Sequence, residues 1–182
     1  MEKNQTAEII KDGTETAVSY ENPWFYKGKP YDPTDEVLND HIGYVYIILD
    51  KTNQKKYIGK KLFWSKKTLP PLKGKKRKRR SLIISDWQKY YGSSETVKQL
   101  IEDNGKESFH REILHLCKTR GQLGYLELYE QVSRHALLRD DYYNGIVQAR
   151  IHHSHIKNIT VDQLIDINEA NVKLLKEERE RN

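Results

Sequence analysis

The chain has 182 residues, 32% of them charged, with a formal net charge of +6 and a single cysteine. That length can bury one hydrophobic core and carry extensions, while the lone Cys117 excludes an internal disulfide framework and fits a reducing cytoplasm. No apolar run reaches the length of a membrane span, and Met1 to Glu21 lacks the apolar core of a signal peptide.

Residues 1–40 hold nine acids against four bases and read as a flexible acidic arm. Its exception is Asn22-Pro23-Trp24-Phe25-Tyr26, an aromatic knot that either lies over a groove of the domain or serves as a docking peptide. From Gly43 to Gly59, two apolar and aromatic runs flank the polar turn Asp50 to Gln54, the pattern of a β-hairpin. In that register Tyr46 and Tyr57 lie near one another on one face. Tyrosines are good strand residues and can simply pack. Two phenols followed at once by lysines can also grip a phosphate and move a proton beside it.

The positive charge is concentrated just beyond. Between Lys51 and Arg80 stand fourteen Lys or Arg and no acid, so the rest of the chain is net acidic. A field focused in this way attracts polyanions more strongly than the net charge suggests. Pro70-Pro71 argues against a long helix, and residues 60–80 read as a basic loop. A charge run is ordinarily a solvated face. Interleaved with Tyr57, Phe63 and Trp64, this one favours a nucleic-acid groove built from Lys60, Lys66, Lys75, Lys76, Arg77, Lys78, Arg79 and Arg80, with Gly59 allowing close backbone approach.

Leu82, Ile83, Trp87, Tyr90 and Tyr91 fall near one face at helical spacing, which predicts a helix over 81–91 ended by Gly92. A second helix starts at Ser93-Ser94 and stops at Asn104-Gly105. Phe109 to Cys117 reads as a strand. Thr119 with Gln122 reads as a capping box opening a helix to about Leu138. Two strands in a hairpin and a third returning after helices give an α+β fold, a small three-stranded antiparallel sheet flanked by helices. Thr160 and Gln163 form another capping box, opening a C-terminal helix that either packs back on the domain or pairs two copies as a homodimer. His152, His153 and His155 stand close together without an acid or cysteine at ligand spacing.

Tyr44-Val45-Tyr46, ten residues, then Tyr57-Ile58-Gly59 resembles the paired signature of the GIY-YIG nuclease superfamily. One departure is plain: Tyr44 replaces the first glycine, with Gly43 one place earlier. The later landmarks keep the order of that superfamily: Gly92-Ser93-Ser94, Asn104-Gly105, Phe109 to Leu114, a helix carrying Glu127, then Tyr143-Asn144. The resemblance covers about residues 42–146 and is closest to the phage-encoded branch with homing-type relatives.

The resemblance implies a metal-dependent DNA endonuclease acting inside a bacterial host cell, its nuclease domain at 41–148 and a helical extension at 149–182. It implies that Glu127 holds Mg²⁺ or Mn²⁺, with Glu130 as fallback, and that Tyr46, assisted by Tyr57, accepts the proton of the attacking water. Lys67 stands where commoner members present an arginine; Lys61, Lys67 and Arg80 are all candidates for the scissile phosphate. Asn144 matches the asparagine that usually follows the metal ligand, although Asn-Gly is also a common turn dipeptide. A catalytically inactive nucleic-acid-binding protein of the same fold is the alternative.

Overall fold

The computed structural model describes residues 22–180; the predicted arm up to residue 21 lies outside them. The hairpin forms where the sequence places it. Strand β3, Gly43–Asp50, pairs antiparallel with β4, Lys56–Leu62. Asp50 fixes the turn, accepting from the Thr52 N–H at 2.9 Å, the Thr52 hydroxyl at 2.6 Å and the Tyr143 hydroxyl at 2.8 Å. A side chain at Gly43 would collide with the backbone of Lys61 and Leu62, so the displaced glycine of the motif is required by close strand pairing.

The sheet is larger than three strands. Phe25–Tyr26 (β1) pairs in parallel with the strand Phe109–Cys117, and Lys29–Pro30 (β2) pairs with β1. Numbered in chain order, that returning strand is β7, after the separate ribbon of Trp64–Leu69 (β5) and Arg79–Ile84 (β6). The sheet order is β2-β1-β7-β3-β4, a mixed five-stranded sheet around the antiparallel core β7-β3-β4. The aromatic knot supplies the difference. Trp24 is buried, its ring 5.1 Å from that of Tyr44 and 5.2 Å from that of Tyr46. Arg111, buried between Trp24 and Tyr91, donates to the backbone carbonyls of Asn22, Gln88 and Tyr90, tying the incoming segment to β7.

Two further expectations are corrected. Residues 81–91 are not a helix: β6 runs into a short 3-10 turn, Trp87–Lys89. Residues 60–80 are only partly a loop: β4 reaches Leu62, β5 runs over Trp64–Leu69, and β5 and β6 make a two-stranded ribbon with Lys66 opposite Leu82 and Lys67 opposite Ser81.

Helices cover both faces. On one side Tyr44, Tyr46, Ile48, Phe63 and Trp87 pack with α1 (Asp35–Asp40) and α2 (Glu95–Asn104). The Ser94 hydroxyl caps α2, and Gly105 at φ 78° closes it, as read from the sequence. On the other side Val45, Ile58 and Cys117 pack under Leu123 and Leu126 of α3, Arg120–Ser133, which opens on Thr119 as expected. This helix stops five residues before Leu138, because His135 turns left-handed (φ 55°) and the Ala136 N–H reaches back to Gln131.

The C-terminal helix α4, Val161–Glu180, packs back on α3. Asn171 donates to Glu130 and Ser133, and Glu178 accepts from Lys56 and Arg139. Leu164 and Ile167 of α4 add apolar packing against the core of Val45, Ile58, Leu123 and Leu126.

Candidate active site

Strand β4 forms one edge of the sheet, and its outer side is closed by the segment 141–144. Lys56 exchanges backbone hydrogen bonds with Asp141 and Tyr143, at 2.8 and 2.7 Å. Asn144 then continues the pairing with its side chain, accepting from the Ile58 N–H at 2.9 Å and donating to the Ile58 C=O at 2.8 Å. The Gln131 amide adds a second donor to that carbonyl at 3.2 Å. A side-chain amide has one acceptor and one donor group in the spacing of a peptide, so Asn144 acts here as a surrogate strand residue. Both ends of its amide are occupied.

Between this clamp and α3 lies a cleft of about 370 Å³ lined by Tyr57, Lys60, Ser93, Glu127, Gln131 and Tyr143, among others. Alternation along β4 explains part of it. Lys60 projects to the α3 side, where its ammonium meets the Glu127 carboxylate at 2.6 Å. Tyr57 projects to the other side, its hydroxyl 3.3 Å from that of Ser93. The edge of the sheet thus brings a phenol, an ammonium and a carboxylate into one opening.

Tyr46 does not line it. The Tyr46 ring is fully buried directly opposite Gly59, 6.3 Å from the Tyr57 ring. A Cβ on Gly59 would come within 2.7 Å of the Tyr46 Cζ, so this glycine makes room for a phenol inside the domain. Burial pushes the Tyr46 hydroxyl well above its ordinary value of 10.0, reinforced by the neighbouring phenols Tyr90 and Tyr57 and by its hydrogen bond to Tyr90. As placed, Tyr46 holds its proton. Tyr90, which sequence reading counted only as a helix residue, links the two groups: Tyr46 and Ser93 both hydrogen-bond it.

The remaining candidates separate clearly. Lys61 faces away from Glu127, its ammonium 2.6 Å from Asp86 and 3.7 Å from the centre of the Tyr90 ring. Lys67, with Lys66, Arg79 and Arg80, is exposed on the ribbon, and Lys75, Lys76, Arg77 and Lys78 lie in its connecting turn, all outside the cleft. Glu130, the fallback metal ligand, is only 2% exposed, with its oxygens engaged by His115 at 2.5 Å and Arg134 at 2.8 Å. Burial raises the Glu130 carboxyl, but the His115 hydrogen bond and the Arg134 charge outweigh it and hold the group down to about 2. It is a buried structural anion, joined to α4 through Asn171. Glu127 is the carboxylate that faces the cleft.

Sequence reading missed Ser93, Gln131 and Arg111 as contributors. Arg111 carried a signal of its own: it occupies an inward position between Phe109 and Ile113, where an alternating strand should be apolar.

A hard divalent cation takes oxygen ligands and keeps several waters. One cleft-facing carboxylate fits such a group, and no cluster of three or more His, Cys, Asp or Glu at metal-binding distance occurs among the described residues. The histidines 152, 153 and 155 make no such cluster among the described residues.

A phenol and a cation on one edge strand, facing a carboxylate on α3, equip a domain to handle phosphodiesters. Residues 24–147 match the family model described as "Putative endonuclease segE, GIY-YIG domain". The chain belongs to this GIY-YIG endonuclease family. No curated protein and no solved structure matches it.

Proposed function

We propose that the protein is a metal-dependent DNA endonuclease that hydrolyses phosphodiester bonds in the Glu127 cleft. The observation that carries this reading is the convergence of Tyr57, Lys60 and Glu127 on one opening at the edge of β4. In it, Glu127 holds Mg²⁺ or Mn²⁺, with Lys60 exchanging its carboxylate for a phosphate oxygen. When bound, the cation supplies charge neutralisation at the phosphate and at the leaving oxygen.

Tyr57, as its phenolate, accepts the proton of the attacking water and becomes the neutral phenol, with the Ser93 hydroxyl beside its oxygen. Tyr46 and Tyr90 position that phenol from inside the domain, with the Lys61 ammonium held over the Tyr90 ring. Asn144 holds β4 in place as a positioning residue. The ribbon cations bind the flanking phosphates, and pairing of two copies is not needed for any of these roles.

The second reading, a DNA-binding protein without catalysis, is favoured by the Lys60–Glu127 ion pair, which occupies the carboxylate that the metal needs. Incubation with supercoiled plasmid and Mg²⁺ or Mn²⁺, with and without EDTA, separates the two. Metal-dependent nicking supports the nuclease; retardation without cutting supports the binder.

A further inference from the structure

The β5–β6 ribbon carries more than charge. Leu82, Ile83 and Ile84 occupy consecutive positions of β6 and are 62%, 42% and 52% exposed. Three adjacent aliphatic side chains left in water are unfavourable unless something covers them. They are also interleaved with cations: Leu82 is opposite Lys66, and two residues along the same face Arg80 is opposite Thr68. The foot of the ribbon is held firmly. The Trp64 indole N–H donates to the Leu38 carbonyl at 3.1 Å, and Ser85 donates to the carbonyls of Phe63 and Leu62, both at 2.7 Å.

We propose that this ribbon enters the major groove of duplex DNA and that Leu82 and Ile84 contact thymine methyl groups there. The inference rests on the DNA-endonuclease reading and adds a base-reading element to it. A two-stranded ribbon is one of the shapes the major groove admits, and the thymine C5-methyl is the apolar feature that groove displays. Cations on both strands and at the turn meet the phosphates on either side. A second copy of this chain is a poor occupant of the strip, because it would bring the segment of fourteen cations and no acid against its own like.

The test compares a thymine-rich synthetic duplex with its deoxyuridine counterpart, which differs only in lacking the C5-methyl groups. Binding is measured in EDTA by fluorescence anisotropy, for the wild type and for a Leu82→Ser/Ile84→Ser variant. The wild type should prefer the thymine duplex by about fourfold for each methyl it buries. The variant should bind both duplexes equally and keep the wild-type salt dependence, since its cations are intact. Equal wild-type binding to the two duplexes, or a preference that survives in the variant, overturns the inference while leaving the nuclease reading standing. Loss of a dimer in the variant with the thymine preference unchanged also overturns it, assigning the strip to self-association. Failure of the wild type to bind either duplex defeats the DNA reading itself.

Discussion

Asn144 grips Ile58 by both backbone groups at once, accepting from its N–H at 2.9 Å and donating to its C=O at 2.8 Å. The strand held in this way carries Tyr57 on one side of Ile58 and Lys60 two places on the other, so the clamp sets the geometry of the cleft. Asn144→Asp replaces the donor with an oxygen that faces the Ile58 carbonyl. That change should lower stability by about 1–3 kcal/mol, the cost of leaving a buried polar group without its partner, and should lower cleavage as β4 shifts. Urea unfolding and plasmid nicking on the same preparations check both.

The buried carboxylate gives a dependence on pH. Glu130 is held down to about 2, against an ordinary value of 4.5, so the folded state binds its proton more weakly than the unfolded one. Its contribution to stability is present above pH 4.5 and is lost as the pH falls from there towards about 2. Glu130→Gln should be less stable at neutral pH, by about 3–5 kcal/mol as Arg134 loses its counter-charge. Its stability should also vary less across the acid window. Denaturant unfolding at a series of pH values, taken as the difference between the two proteins, isolates this group from the other carboxylates.

The two tyrosines of the hairpin should separate. Tyr57→Phe removes the hydroxyl in the cleft and should reduce cleavage by about 10²-fold or more, the scale of general acid–base catalysis. Tyr46→Phe removes a hydroxyl that is buried and bonded to Tyr90, and should cost less in rate. Single-turnover rates at saturating metal decide the order. A larger loss in Tyr46→Phe would return the proton to Tyr46.

The cations of the ribbon should act through binding. Changing Lys75, Lys76, Lys78 and Arg79 to Ser should weaken DNA binding at low salt. It should also flatten the log–log salt dependence by about 0.9 for each phosphate that is no longer neutralised. An unchanged slope would make the turn a solvated one and leave Lys60 and Lys66 as the anchor.

Elements with local signals were legible in the sequence. Ser94 and Gly105 bound α2, Thr119 opens α3, and β7 occupies Phe109–Cys117, because capping and strand alternation are written within a few residues. The hairpin was legible for the same reason. Pairings across long separations were not: nothing near Phe25 announces that it will align with Glu112 of β7. The false helix at 81–91 came from a real periodicity. Trp87 is buried and Tyr90 half-buried against the same core, but a 3-10 turn places them there while Leu82 to Ile84 stay on the ribbon.

The site divides in the same way. Sequence order ranked Glu127 above Glu130, and only Glu127 faces the cleft. Spacing could not tell that Tyr46 points into the core or that Asn144 spends its amide on Ile58, since both depend on which side of β4 each side chain approaches.

Glu127→Gln provides the most direct measurement. It keeps the shape of the side chain while removing the negative charge that would hold a divalent cation. The wild type should nick supercoiled plasmid with Mg²⁺ or Mn²⁺ and stop in EDTA. Glu127→Gln should bind the same DNA with near wild-type affinity, unfold at a similar temperature, and leave the plasmid intact at every metal concentration. Cleavage by Glu127→Gln at the wild-type rate would contradict the account, because the carboxylate at the centre of the cleft would then have no part in the reaction.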